Sequence, residues 1–455
     1  MSHPKEQYRN VTTLEGIDIT DRIEREDGIV FEAEWKPEEE SQDECPSCDL
    51  EDPPLNPRGT YDSRKVRDMR RKGQPVGIRL SIRRFECGNC GSVFIARHPG
   101  IVDGRKMTRT LYEHLQEKSL QWWETFSELD GRFGFGKDTV GRIFDNYTDQ
   151  LEEDYSPRPP RILGIDGVYV ETKGETFTLI ADIEEKTVIE LIEAHKAGPV
   201  EEKLRQLGVR GRTEVVVMDM SSVYRPAIES VLPLASIVVD RWHVTKRAEQ
   251  AMSDVKSDVE GEDMMDEWRE RKSEISSTEE LPAGHQFVMG GAQPITLRPG
   301  EDLLDRMEAA YRAKNEFERI FELQGREKAA RRLQKWEAKL PDIIRESFED
   351  VTGLLEGEWQ DQILNYFDHQ YTNSTVENLN KIVNEIDDRT DGCKFETLRG
   401  KAVFGPEHKT KVLGDGTAMP FRRIKLPKVQ RISDGKTKVV DHGVPFEALL
   451  EWMEE

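Results

Sequence analysis

The chain has 455 residues, more than one ordinary domain, so two to four units are expected. Hydrophobic residues make up 36% and charged residues 34%. No run approaches the roughly eighteen apolar residues of a transmembrane helix, so no membrane span is expected. The net charge of −23 excludes a uniformly basic polyanion binder, yet residues 61–110 carry thirteen Lys/Arg against four Asp/Glu, a local balance of +9 that leaves −32 elsewhere. Such a patch on an acidic body can still hold a polyanion. The opening MSHPKEQYRN lacks the apolar core of a secretion signal, so a cytoplasmic location is expected.

Residues 1–44 contain two β-like runs, around Val11–Ile19 and Gly28–Trp35, and then the acidic stretch KPEEESQDE; they read as a hairpin and linker. Residues 45–100 hold two cysteine pairs, with an alternating strand over Val76–Phe85 between them. Over 105–154 the period becomes helical at Leu111, Leu115, Leu120, Trp123 and Phe126. TFSELDGRF, a turn at Gly134 and Gly136, and KDTVGRIFDNY follow, with Asp138 placed to cap the second helix. This order fits a helix-turn-helix, although an ordinary helical hairpin reads the same way. Three prolines in the six residues from Tyr155 to Pro160 mark a linker.

Residues 161–250 read β-β-β-α-β-α-β-α, with strands at Ile162–Val170, Phe177–Ile183, Thr187–Glu193, Val215–Met218 and Ile237–Val239, and helices near Val200–Leu207 and Tyr224–Val231. Three hairpin strands followed by α-β-α-β is a ribonuclease-H-like order. Residues 251–365 are charged and mostly helical, with core stripes at Leu303, Leu304, Met307, Ala310 and Tyr311 and at Phe317, Ile320 and Phe321; residues 283–300 read as a loop. A helix bearing Glu377 lies in 366–405, and 406–455 is an extension whose clearest signal is an amphipathic FEALLEWM at 446–453. The expected fold is a multidomain α/β chain: N-terminal zinc ribbon, helix-turn-helix, and a ribonuclease-H-like mixed sheet (161–250 and 366–405) with a large α-helical insertion at 251–365.

Cys45 and Cys48 (CPSC) with Cys87 and Cys90 (CGNC) are two Cys-x-x-Cys knuckles. Four thiolates close a tetrahedral shell, so one structural Zn²⁺ is expected, with no position left open for water. Cys393 reads as a small packing residue. Arg64, Lys65, Arg67, Arg70, Arg71, Lys72, Arg83 and Arg84 lie in the ribbon loop, and Lys137 and Arg142 on the second helix; phosphate contact is expected for them, a solvated charged face being the alternative.

Asp166 in ILGIDGVYV and Asp219 after EVVVM stand at strand ends that should be neighbours. Buried carboxylates are costly without a compensating cation. Two Mg²⁺, or Mn²⁺, held by such acids would activate a water or a 3′-hydroxyl and stabilise the leaving oxygen. Asn373, Glu377 and Asn380 share one face of the downstream helix. Asp240 and His243 form a third polar pair at a strand–helix turn, where Asp240 rivals Asp219 as a metal ligand.

These segments carry a resemblance. RRFECGNCGSVF, GIDG at 164–167, VVMDMSSVYRPAI, VVDRWHV and TNSTVENLNKIVNEI follow the order seen in the ISL3 family of insertion-sequence DDE transposases, over about residues 45–405. The resemblance implies Asp166, Asp219 and Glu377 as the catalytic, magnesium-binding acids, and Asp240, His243, Asn373 and Asn380 as auxiliaries. It also implies a prokaryotic enzyme that binds the terminal inverted repeats of an element, hydrolyses their ends with Mg²⁺ and joins the freed 3′-hydroxyl to target DNA. The partners would be double-stranded DNA and a second copy or more of the chain. The chain departs from the family pattern at Gly167, where Glu is usual, at Trp242, where Phe is usual, and at Thr372–Ser374, where Ser-Asn-Gly is usual. A non-catalytic DNA-binding regulator, or a ribonuclease-H-like nuclease without strand transfer, remains the alternative from another class.

Overall fold

The computed structural model describes residues 11–25, 28–36, 45–48, 53–209, 211–257, 266–273 and 301–405. Contacts divide the chain into two units, Met1–Tyr155 with Ile386–Glu455, and Ser156–Glu385. The loop expected at 283–300 and the helix expected at 446–453 lie outside the described residues.

In the first unit β1 (Asp18–Arg25) and β2 (Gly28–Trp35) form an antiparallel hairpin. β2 then pairs in parallel with β4 (Gln74–Cys87), and β4 pairs antiparallel with β3 (Leu55–Arg71) and β5 (Val93–Ile95). The first strand therefore begins at Asp18, not Val11. β3 is a larger departure. Its sequence, LNPRGTYDSRKVRDMRR, has few β-branched or aromatic residues, but pairing against the apolar β4 overrides that local preference. The basic residues 64–71 thus lie on a strand, not in a loop. Val66 and Asp68 are buried among them. The Asp68 carboxylate accepts from the Thr13 and Met69 N–H groups at 2.7 and 2.8 Å, from the Thr108 hydroxyl at 2.9 Å, and from the Thr13 hydroxyl. These bonds offset the cost of its burial.

Three helices follow: α1 (Arg109–Leu120), α2 (Phe126–Phe133) and α3 (Lys137–Glu153). Leu111, Leu115, Leu129, Phe133, Val140 and Ile143 form their core. Trp123 and Phe126 are not on the first helix: a capping box between Thr125 and Glu128 starts a new one. Gly134 ends α2 at φ 67°, a left-handed conformation that glycine adopts without strain. Asp138 does not cap α3; its N-cap is Gly136, whose N–H donates to the Asp130 carboxylate at 2.7 Å.

The second unit opens with β6 (Ile162–Val170), β7 (Glu175–Asp182) and β8 (Thr187–Ile192), joined as antiparallel neighbours. α4 (Ala197–Gln206) leads to β9 (Val215–Met218), and α5 (Tyr224–Val231) to β10 (Ser236–Val239); β9 runs parallel to β6 and β10 parallel to β9. The sheet order is β10-β9-β6-β7-β8. Its strands are near-continuous apolar runs (VVVM in β9 is wholly buried), as expected of strands covered on both faces.

α6 (Arg241–Ser257) follows, then a helical stretch at 266–273 (α7), α8 (Glu301–Ile320), α9 (Arg326–Ala338), α10 (Asp342–Arg345), α11 (Glu349–Glu356), α12 (Gln360–His369), α13 (Ser374–Arg389) and α14 (Phe395–Phe404). Val217, Val239, Val244, Met307, Phe317, Trp336 and Phe367 belong to one continuous cluster, so the helices expected as an insertion share the core of the sheet. The second unit boundary falls within α13, and residues 386–405 group with the N-terminal unit. There the buried Lys401 ammonium on α14 donates to the Ser119, Gln121 and Glu124 carbonyls at 2.6, 2.9 and 2.8 Å, around the end of α1.

Candidate active site

Strand register assembles the acids. Gly164 on β6 lies opposite Val217 on β9, so Asp166 and Asp219, each two residues further on, stand at the same level; Asp219 follows the end of β9, but Asp166 lies in the middle of β6 and not at a strand end, because β6 continues to pair with β7 as far as Val170. Met218 lies opposite Val239 on β10, which puts Asp240 next in the row. Adjacent strands are about 4.8 Å apart, so three carboxylate-bearing backbones meet at one level of the sheet.

The Asp166 carboxylate accepts from the Gly167 N–H at 2.8 Å on Oδ1 and from the Asn380 side-chain amide at 2.9 Å on Oδ2. Burial and the negative charge of Asp219 push its carboxyl up to about 7, with a smaller push from Glu377, against the two hydrogen bonds. Burial also pushes the Asp219 carboxyl up, while the charges of His243 and His195 pull it down. Asp219 Oδ1 is buried with no hydrogen-bond partner. Uncompensated crowding of this kind is what a cation relieves.

The helix that carries Glu377 packs closely on the sheet. A Cβ on Gly164 would lie 2.4 Å from Cγ2 of Val376, so only glycine allows α13 to pack this tightly on β6. Val376 precedes Glu377, and Gly164 lies two residues before Asp166. Asn380, one helical turn after Glu377, bonds Asp166 directly and leaves its own Oδ1 buried and unpartnered.

Asp240 plays another part. It is 2% exposed, and both oxygens are taken by backbone: Oδ1 by the Trp242 N–H at 3.1 Å and Oδ2 by the Asn373 N–H at 3.0 Å. One carboxylate thereby ties the start of α6 to the start of α13. Asp219, by contrast, keeps one buried oxygen without a hydrogen-bond partner. The Asn373 amide is fully buried, with neither polar atom partnered. His243 is half-buried, and its ring packs edge-on against the exposed Trp242, over which Lys246 sits 4.4 Å from the centroid.

Two residues the sequence did not single out also stand here. Tyr224, fully buried at the start of α5, places its hydroxyl 2.8 Å from Nδ1 of His195. The charges of Asp166 and Asp219 add to burial in pushing the phenol pKa up. His195 follows β8, 29 residues from Tyr224, and no local pattern marks the pairing.

Among the described residues, the one group of three or more His, Cys, Asp or Glu whose ligand atoms all lie within 4.8 Å of one another is Cys45, Cys48, Cys87 and Cys90; the acids do not form such a group. The Cys45–Cys90 and Cys48–Cys87 sulfurs are 3.6 Å apart in each case. Tetrahedral zinc with Zn–S near 2.3 Å sets sulfurs about 3.8 Å apart, whereas a disulfide needs about 2.05 Å. The four cysteines could therefore bind a zinc ion. Within the second knuckle, the Gly88 N–H donates to the Pro54 carbonyl at 2.7 Å, just before β3.

The basic residues divide. Lys72, Arg84, Lys137 and Arg142 are exposed, and Arg64, Lys65, Arg71 and Arg83 half-buried. Arg67 and Arg70 are committed internally. Arg67 donates to the Gly134 carbonyl at 2.8 Å and lies 4.3 Å over the Phe135 ring, and burial pulls its guanidinium down to about 10. Arg70 bonds the Gly73 carbonyl at 2.6 Å and the Arg132 carbonyl at 2.7 Å.

No curated protein matches the chain. The family model for ISL3-type DDE transposases, described as a transposase, matches residues 163–401, more than half of the chain and the whole stretch from β6 to Lys401. The chain belongs to the ISL3 family of DDE transposases.

Proposed function

We propose that the protein cuts and joins DNA with Asp166, Asp219 and Glu377 as its catalytic acids. The observation that carries this reading is the state of Asp166: buried beside Asp219 and Glu377, its carboxyl is pushed to about 7, while Asp219 Oδ1 lacks any partner. A strand order of β10-β9-β6-β7-β8, three antiparallel strands followed by two parallel ones, supports a ribonuclease-H-like catalytic domain. This donor set of hard oxygens fits Mg²⁺ or Mn²⁺. Two such ions would supply the charge that activates the attacking oxygen and stabilises the leaving one.

The chain's own residues would do the rest. Asp166, Asp219 and Glu377 would hold the cations. Asn380 would keep Asp166 in one orientation. Asp240 would fix the relative position of α6 and α13, and thereby of Glu377. His243 and Asn373 would support the site from beside Asp219 and at the start of α13. At the element end a water oxygen bonds to phosphorus, the P–O3′ bond breaks, and the 3′-oxygen leaves as a hydroxyl. That hydroxyl then attacks a target phosphate and displaces the target's own 3′-oxygen. In the N-terminal unit, the cysteine set reads as a zinc ribbon, and α2–α3 as a helix-turn-helix. Arg64, Lys65, Arg71, Lys72, Arg83, Arg84, Lys137 and Arg142 would meet phosphates, with Arg67 and Arg70 shaping that surface from within. Pairing two ends calls for a dimer or a larger assembly.

The test is a supercoiled plasmid carrying the coding sequence with its native flanking DNA, incubated with the full chain and Mg²⁺. The unmutated protein should give cleaved ends and joined products. Asp166→Asn and Glu377→Gln should each reduce both by at least about 10³-fold. If both variants cleave and join normally, the assignment fails. Binding without cleavage by the unmutated protein would favour a regulator, and cleavage without joining a nuclease.

A further inference from the structure

We propose that the β3–β4 hairpin turn is a wing of the helix-turn-helix, with Lys72 at its tip held by Arg70 to meet a phosphate of the same duplex that α3 engages. The proposal deepens the reading of α2–α3 as a DNA-binding pair and rests on it. Three observations carry it.

The first is attachment. Arg70 donates to the Gly73 carbonyl at 3.1 Å from Nε and 2.6 Å from Nη2, and to the Arg132 carbonyl at 2.7 Å from Nη1. One guanidinium thus joins the hairpin turn to the end of α2. Earlier on β3, Arg67 donates to the Gly134 carbonyl at 2.8 Å and covers the Phe135 ring. Met69, between the two arginines, packs against the core of α1–α3. Arg132 to Phe135 end α2 and lead into α3. The hairpin tip is therefore fixed to the turn that orients α3, and the arginines occupy a helix C-terminus, where cations are favoured.

The second is charge. α3 exposes Lys137 and Arg142, but also Asp138, Asp145, Asp149 and two glutamates near its end. That surface has an excess of carboxylates, whereas a duplex carries one negative charge per about 1.7 Å of its length. The hairpin supplies the cations that α3 lacks. Arg70, Arg71 and Lys72 are consecutive, and no acid follows them until Glu86.

The third is the tip itself. Arg71 pairs with Gln74, which leaves a two-residue loop with both φ positive, 49° at Lys72 and 83° at Gly73. Turns of this kind favour Asn, Asp or Gly at the first position. A lysine there is strained, yet it is exposed. The geometry of the turn does not call for that residue; an ammonium carried at the tip is what a phosphate contact uses.

The experiment uses the full chain and a linear duplex cut from the native flanking DNA, with affinity measured over a salt series. Lys72→Asn installs a residue that the turn favours, so the melting temperature should hold or rise. The salt slope should fall by about 0.9, which at about 0.1 M salt is a loss of about 8-fold in affinity. A lysine with only a structural part in the turn would show neither loss. Arg70→Lys keeps the charge but cannot bridge the two carbonyls as a guanidinium does. It should weaken binding by itself, and adding Lys72→Asn should then cost much less than it does alone, since both act through one contact. Lys72→Asn binding within about 2-fold of the unmutated protein at an unchanged slope overturns the proposal. So does a weaker Lys72→Asn with an unchanged slope and a lower melting temperature, and so does full multiplication of the two losses. Arg142→Ala on α3, run alongside, separates the two readings. If it and Lys72→Asn both bind normally, the helix-turn-helix reading itself has failed. A weakened Arg142→Ala beside a normal Lys72→Asn removes the wing alone. A weakened Lys72→Asn beside a normal Arg142→Ala puts the hairpin on DNA without α3 and overturns the shared surface.

Discussion

Gly164→Ala offers the sharpest test of how the site is held together. The new Cβ would lie 2.4 Å from Cγ2 of Val376 and 3.1 Å from Cδ1 of Ile183. Carbon atoms settle at about 3.5–4.0 Å, so α13 and β6 must part by roughly 1 Å. Overpacking of this size costs about 1–3 kcal/mol. For a unit of this length that is a fall of about 2–12 °C in melting temperature. The displaced helix carries Glu377 one residue beyond the clash, and a misplacement of about 1 Å at a reacting centre can cost on the order of 10²-fold in rate. Thermal denaturation and single-turnover cleavage of the plasmid substrate measure both effects. Adding Val376→Ala removes the offending methyl and should restore much of the rate, because the two positions share one gap. A Gly164→Ala protein that melts and cleaves like the unmutated one would falsify the idea that this contact sets the distance between Glu377 and Asp166.

Three further outcomes are expected. Without metal, the Asp166 carboxyl at about 7 lies above its unfolded value of about 3.9; the stability it contributes is therefore full below about pH 4 and lost as pH rises through about 7. Melting curves in a chelator should show this fall, Asp166→Asn should flatten it, and saturating Mg²⁺ should oppose it; a metal-free protein whose two forms share one pH profile would contradict the buried-carboxyl account. Native mass spectrometry should find one zinc per chain, reduced to none in a Cys87→Ala/Cys90→Ala protein, and stripping the zinc should expose residues 45–97 to proteolysis; a fully metal-free native chain would rule the site out. Arg84→Ala should weaken DNA binding and lower the salt slope by about 0.9, whereas Arg67→Ala should act mainly by lowering the melting temperature, since its guanidinium is committed to Gly134 and Phe135; equal effects of the two on the salt slope would argue against that division.

Several features of the fold were legible because their signals are local. β6 and β9 are apolar runs with turn residues at their ends, and β6, β9 and α5 fall where the periodicity puts them. The spacing within each cysteine knuckle is enough to mark a thiolate set, and the structure brings the four sulfurs together. β3 was missed because its residues are those of a solvated surface, and only its long ladder with β4 makes a strand of them. The break between α1 and α2 was missed because apolar spacing continues across it while a capping box, a signal of side chain to backbone, restarts the helix.

The amino-acid sequence by itself pointed to the family and marked the apolar runs of β6, which contains Asp166, and β9, which precedes Asp219, since each run is made of residues close together in the chain. The tertiary structure decided the rest. It showed that Asp240 spends both carboxylate oxygens on the backbone N–H groups of Trp242 and Asn373. It packed the helix that carries Glu377 on β6 through a glycine that permits a close contact 212 positions away. It set His195 against Gly167 with Tyr224 behind it. Each of these rests on strand register, burial or the absence of a single Cβ, and such quantities exist only once distant segments have packed.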